Sequence, residues 1–120
     1  MPKPSLHLRV RVLLDEEIAM GPGKADLLEA IQETGSIAAA GRSLGMSYRR
    51  AWLLVDTMNR CFREPLVATE RGGASRGGAS LTDAGEEALK AYRKMEAMAR
   101  KAALPGLEAM TRLLATRLPR

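Results

Sequence analysis

At 120 residues with 46% apolar side chains, the chain is sized for one domain, or one domain with an appended helix. Aromatic residues make up only 3%, so the core must come from Leu, Ala, Met and Val, which favours helices over sheets. A formal net charge of +5 suits a polyanionic partner; the single cysteine, Cys61, excludes an internal disulfide or a cysteine-based metal cluster and suits a small core position, and the lone His7 has no companion ligand.

The first seven residues read as a loose tail, because Pro2 and Pro4 oppose a helix. From Leu8 to Leu14, the apolar Leu8, Val10, Val12 and Leu14 alternate with Arg9 and Arg11, the period of a half-buried strand. Those arginines also rule out a signal peptide, and no run reaches the ~18–20 apolar residues of a membrane span. A cytoplasmic protein with no membrane partner is therefore expected. Residues 15–23, with Gly21, Pro22 and Gly23 in succession, read as a turn-rich connector. A helix is predicted from about Lys24 to Thr34, with Leu27, Leu28 and Ile31 on its apolar face and Gly35 ending it.

Residues 36–63 read as a helix, a tight turn at Gly45 and a second helix. The first is built from small residues, Ala38, Ala39, Ala40 and Gly41, which let two helix backbones approach closely. Ser36 and Ser47 stand at N-cap positions, where a hydroxyl accepts from an otherwise unpaired first-turn N–H. On the second helix Ala51, Val55, Met58 and Phe62 form one buried stripe, and Arg49, Arg50, Leu53, Asp56 and Arg60 occupy the opposite face. No acidic residue falls between Thr34 and Val55. A second helix that opens on Tyr48, Arg49 and Arg50 is built to enter a DNA major groove.

Pro65 stops that helix, and Leu66–Glu70 is strand-like. Four glycines then fall within the seven residues 72–78, Arg71 and Arg76 stand within the stretch 71–80, and Leu81 closes it. Strand, glycine-rich loop and strand make a β-hairpin wing. The glycines match neither GK[ST] nor G-x-G-x-x-G spacing, so no nucleotide site is expected. Thr82 caps the last long helix, with Asp83, Glu86 and Glu87 favourably placed in its positive first turn. Leu81, Ala88, Met95 and Ala102 recur every seven residues, and Ala84, Ala91 and Met98 form an offset series. This heptad-like seam predicts a dimer contact through Leu81, Ala88, Tyr92, Met95, Met98 and Ala102. Pro105 and Gly106 are expected to interrupt the helix, leaving a final amphipathic one over Leu107–Leu118.

Several short stretches carry a resemblance: GSI at 35–37, SYRRAW at 47–52, MN at 58–59, ER with the glycine-rich wing at 70–78, and LTDAG at 81–85. Together they resemble the winged-helix DNA-binding domain of the ModE family of molybdate-responsive regulators, within the wider LysR-type class. The resemblance runs from the Leu8–Leu14 strand to about residue 101. It implies a homodimer held through the N-terminal strand and the long C-terminal helix. It also implies a separate oxyanion-binding domain in full-length members. Only about seventeen residues follow residue 103, too few for such a domain, so no molybdate pocket and no cofactor are expected. The chain looks like a stand-alone DNA-binding member.

The expected fold class is mainly α with a small β wing: a winged helix-turn-helix with an N-terminal strand over 1–81 and C-terminal dimerisation helices over 82–120. The expected function is transcriptional regulation by a homodimer on an inverted repeat of double-stranded DNA. Arg49 and Arg50 are placed to read guanine, Ser47 and Tyr48 to bind phosphate, and Arg71 and Arg76 to reach the flanking backbone or minor groove. Arg42 and Ser36 on the preceding helix, and Leu53 and Trp52 on the second, complete the DNA-facing set; Trp52 is equally placed to pack against the strand or wing. Two other readings are an architectural protein binding DNA without sequence preference and a winged-helix protein-interaction module. No nucleophile motif or paired carboxylates suggest an enzyme.

Overall fold

A computed structural model describes residues 2–70 and 78–118. The elements are β1 (Val12–Leu14), β2 (Glu17–Met20), α1 (Pro22–Thr34), α2 (Ile37–Ser43), α3 (Tyr48–Cys61), β3 (Val67–Thr69), β4 (Ala79–Leu81) and α4 (Asp83–Thr111). Helices dominate, and the strands form two separate antiparallel pairs, β1 with β2 and β3 with β4. Among the described residues, no helix is long and apolar enough to cross a membrane.

The core is an aliphatic wedge at the crossing of α1, α2 and α3, with Leu27, Leu28, Ile31, Val55, Met58 and Leu66 fully buried. Leu89 and Tyr92 of α4 close it from one side. The small-residue rule holds where α2 meets α3: a Cβ on Gly41 would stand 3.0 Å from that of Ala51. Gly45 makes the connecting turn at φ 73°, a left-handed conformation that glycine adopts without a Cβ penalty. Gly35 ends α1 the same way, and its carbonyl accepts from Ala79 N–H at 2.8 Å, so this cap also anchors β4.

Two expectations are corrected. The connector over 15–23 contains β2, which pairs with β1 to make a hairpin turning at Asp15, where φ is 52°. Polar residues interrupt this segment, so its period is obscured; the strand carries Met20 into the core, with Ala19 buried and Ile18 half-buried beside it. The expected strand at 8–14 correspondingly shortens to Val12–Leu14. Secondly, Pro105 and Gly106 do not end α4, which runs through them to Thr111. Proline removes one backbone donor, but its fixed φ is helical and its ring lies on the exposed side of the rod, so the helix continues.

Helix α4 is held to the body by a cluster centred on Arg93. Its guanidinium pairs with Asp26 and Glu29 of α1 at 2.8 Å each and with Glu96 at 2.9 Å. The hydrogen bonds to Glu29 first, then those to Asp26 and Glu96, hold its pKa above the ordinary arginine range. The N-terminal segment is tied to the same helix: Tyr92 O–H donates to the Val10 carbonyl at 2.7 Å, and Arg100 Nη1 donates to that of Leu6 at 3.0 Å. Burial, and then the neighbouring Glu96 carboxylate, push the Tyr92 phenol up to about 12.

Candidate nucleic-acid interface

Helix α3, the second of the helix-turn-helix pair, begins at a capped turn. Ser47 Oγ accepts from Arg50 N–H at 3.1 Å, as Ser36 Oγ accepts from Ala39 N–H at 3.1 Å at the start of α2. Both hydroxyls thus fix the helix entries, and Ser47 remains exposed at the edge of the site. Ala51, Val55 and Met58 turn inward, and Phe62 packs partly buried against them. This fixes the rotation of α3, so that Tyr48, Arg49, Trp52 and Leu53 point out of the molecule.

Arg42, Arg49 and Arg50 are all exposed, and among the described residues none has a carboxylate partner. The first acid on this face is Asp56, held by Arg60 at 3.2 Å one turn further along the helix. Trp52, which the sequence leaves between core and surface, is 39% exposed and meets Tyr48 edge-on with ring centroids 6.2 Å apart. The face is therefore cationic at the helix start, with an apolar shelf beside it.

The wing base stands next to this helix. β3 and β4 pair in register Val67↔Leu81, Ala68↔Ser80 and Thr69↔Ala79, and Glu70 N–H donates to Gly78 O at 2.8 Å. Arg71 and Arg76, both expected on the wing, lie outside the described residues.

Asn59 is the residue that sequence reasoning overlooked. It sits near the end of α3, and its Oδ1 accepts from Leu66 N–H at 2.8 Å and Val67 N–H at 3.1 Å. Its Nδ2 donates to Val67 O at 3.2 Å. Thr82 N–H bonds Leu66 O and Glu70 N–H bonds Gly78 O, so by antiparallel alternation Val67 turns its own polar groups away from β4. One carboxamide supplies the missing partner on that open side and couples α3 to the wing base. The signals available were its position two residues before the end of an amphipathic helix and its place in the MN match at 58–59.

The LTDAG stretch has a similar mechanical role. Thr82 Oγ1 donates to Pro65 O at 2.7 Å and accepts from Gly85 N–H at 3.0 Å, capping α4 against the wing entrance. A Cβ on Gly85 would collide with the Leu66 carbonyl oxygen.

Residues 24–86 match the family described as bacterial regulatory helix-turn-helix protein, lysR family, a span that covers just over half the chain from α1 through the cap of α4. The chain belongs to the LysR family. Among curated relatives, this LysR-type chain is 47% identical over 78 residues to the molybdenum-pterin-binding protein MopB of Rhodobacter capsulatus, covering 65% of this chain and 29% of that protein. It is 41% identical over 88 residues to the molybdenum transport protein ModE of Azotobacter vinelandii, covering 72% and 33% respectively. The DNA-binding transcriptional dual regulator ModE of Escherichia coli is 32% identical over 89 residues, covering 74% and 34%. The chain thus spans about a third of the length of these relatives, consistent with the DNA-binding domain of the ModE branch. The fold matches the crystal structure of a CbnR_DBD–DNA complex with a TM-score of 0.57 and 23% identity, over 73% of this chain and 95% of that one.

The residues expected on a dimer seam divide. Met95, Met98 and Ala102 are exposed, and Leu81 and Ala88 are half-buried. Tyr92 is only 2% exposed, and its hydroxyl donates to the Val10 carbonyl, so within this chain it packs in the core. A heptad count assigns a face of the helix but not its neighbour, and the N-terminal segment with α1 takes the side that Tyr92 occupies.

Proposed function

We propose that this chain is a transcriptional regulator that binds double-stranded DNA as a homodimer in the cytoplasm. The observation that carries the reading is the pair Arg49–Arg50, exposed and, among the described residues, free of carboxylate partners at the capped start of α3 in a LysR-family domain. With α3 in the major groove, Arg49 or Arg50 donates in bidentate fashion to guanine O6 and N7. Arg42, Tyr48 and the α2 and α3 entries at Ser36 and Ser47 contact phosphates, and Arg71 and Arg76 reach the flanking backbone. An arginine rim gathers the polyanion, while the helix rotation fixed by Ala51, Val55 and Met58 sets which side chains meet base edges.

The homodimer is supported by apolar surface left uncovered on two elements at one side of the domain. Val12, Leu13 and Leu14 of β1 and Met95 and Met98 of α4 are exposed, and the distal part of α4 continues with Leu104 and Met110. Val12 and Met95 border one depression with Met20, Phe62, Ala88, Ala91 and Tyr92. Residues 82–120 act in this reading as the dimerisation unit, and two recognition helices ~34 Å apart require an inverted repeat. The molybdenum-related names of the relatives are not carried over, because the match is confined to about a third of those proteins.

Selection of bound duplexes from a random library, followed by titration at two salt concentrations, tests the reading. A palindromic winner that outcompetes a scrambled duplex at the higher salt is expected. Arg49→Ala then reduces discrimination at one base pair per half-site by about 1–3 kcal/mol. Sedimentation should give twice the chain mass, and Met98→Asp should shift it toward the monomer. Equal, salt-abolished binding to every duplex indicates an architectural protein, and no binding at all indicates an interaction module; either result refutes the proposal.

A further inference from the structure

Beside Arg49, α3 turns three large hydrophobic side chains to water. Tyr48 is 62% exposed, Trp52 39% and Leu53 55%. They are not scattered: the two rings brace each other at 71°, and all three border one shallow depression with Arg49 and Asp56. Trp52 and Leu53 stand three and four residues beyond Arg49, which puts them on its face of the helix, one turn along. Elsewhere on the helix the apolar residues are buried or half-buried, as an amphipathic surface helix requires; this shelf is the exception.

The surroundings restrict what covers the shelf. Arg42, Arg49 and Arg50 are exposed without carboxylate partners among the described residues, and Asp56 is paired with Arg60. The occupant therefore carries dense negative charge outside and isolated apolar points within. A duplex major groove has that character, because its floor is polar except for the C5-methyl group of thymine.

We propose that Trp52 and Leu53, braced by Tyr48, form an apolar wall that reads thymine methyl groups, next to the guanine contact made from Arg49. The inference rests on the DNA-binding reading above and extends it from charge to base identity. Side chains one helical turn apart span neighbouring base pairs, whose spacing is ~3.4 Å, so guanine and thymine readout fall within one half-site. The brace matters because a ring held by a second ring presents a fixed surface to a methyl group.

The test uses the full chain and the duplex recovered by selection. Each thymine is replaced in turn by deoxyuridine, which keeps every hydrogen-bonding edge and removes only the methyl. One or two positions per half-site should lose about fourfold in affinity, the effect of one buried methyl. Leu53→Ala should bring the thymine-to-uracil ratio at those positions close to one while the guanine preference persists. Leu53 lies on the surface, so this variant leaves the core intact. The proposal is overturned if uracil is accepted equally at every position, if the selected half-site holds no thymine, or if Leu53→Ala keeps the full ratio. Failure to recover any specific duplex overturns the DNA-binding reading as well, so the two failures are separable.

Discussion

Truncating Asn59 to alanine isolates the link between α3 and the wing base. The carboxamide makes hydrogen bonds at 2.8, 3.1 and 3.2 Å, two of them accepted from the N–H groups of Leu66 and Val67, both buried residues. An orphaned buried donor or acceptor costs about 1–3 kcal/mol, so three sealed groups would set an upper range of about 3–9 kcal/mol. Asn59 is half-buried, and water entering beside the shorter alanine side chain partly satisfies the freed groups. The loss should therefore be about 2–4 kcal/mol. For a chain of this size that corresponds to a fall in melting temperature of roughly 10–20 °C. Urea and thermal unfolding followed by circular dichroism, at one fixed protein concentration, measure it. Asn59→Asp is the informative companion. It retains the acceptor for both N–H groups but loses the donor to Val67 O, so its stability should fall between wild type and Asn59→Ala. The reasoning fails if Asn59→Ala lies within about 0.5 kcal/mol of wild type, the range of ordinary surface changes, or if the aspartate variant is no better than alanine.

Arg93→Ala removes three partly exposed ion pairs between α4, α1 and Glu96, and should destabilise by about 1–2 kcal/mol, a loss that shrinks as salt is raised. Equal effects at low and high salt would assign Arg93 a packing role instead. Tyr92→Phe deletes the bond to Val10 and should cost about 1 kcal/mol near neutral pH. Because the folded phenol is raised to about 12 from an ordinary value of 10.0, its stabilisation is complete below about 10 and is lost as pH rises toward 12. The wild-type advantage over Tyr92→Phe in urea titrations should narrow across that interval, and a constant difference would contradict the assignment. Gly85→Ala drives a Cβ into the Leu66 carbonyl and should cost about 3 kcal/mol or more, read by the same unfolding titration; a near-neutral result would mean that the wing entrance yields easily.

Local rules made much of this protein legible before its structure. The caps at Ser36, Ser47 and Thr82, the left-handed turns at Gly35 and Gly45, and the inward stripe of Ala51, Val55 and Met58 all follow from short-range geometry. Each depends on residues within a turn or two of one another, so spacing alone reveals them. Arg49 and Arg50 were legible as an exposed cationic start for the same reason: once the buried stripe is set, the opposite face is set.

The partners of each surface depended on contacts distant in sequence. Tyr92 falls on a heptad seam, yet it is buried because Val10, 82 residues away, lies over it. Asn59 looks like an ordinary helix-end polar residue until Val67 presents an unpaired strand edge to it. β2 formed because the hairpin folds back on the core, and α4 passed through Pro105 because the ring found an exposed side. Sequence by itself determined the caps, the tight turns and the exposed face of α3, since periodicity and hydroxyl position act over a few residues. Only the tertiary structure decided which of the remaining apolar side chains its own chain covers and which it leaves exposed, because that depends on where segments far apart in the chain come to rest.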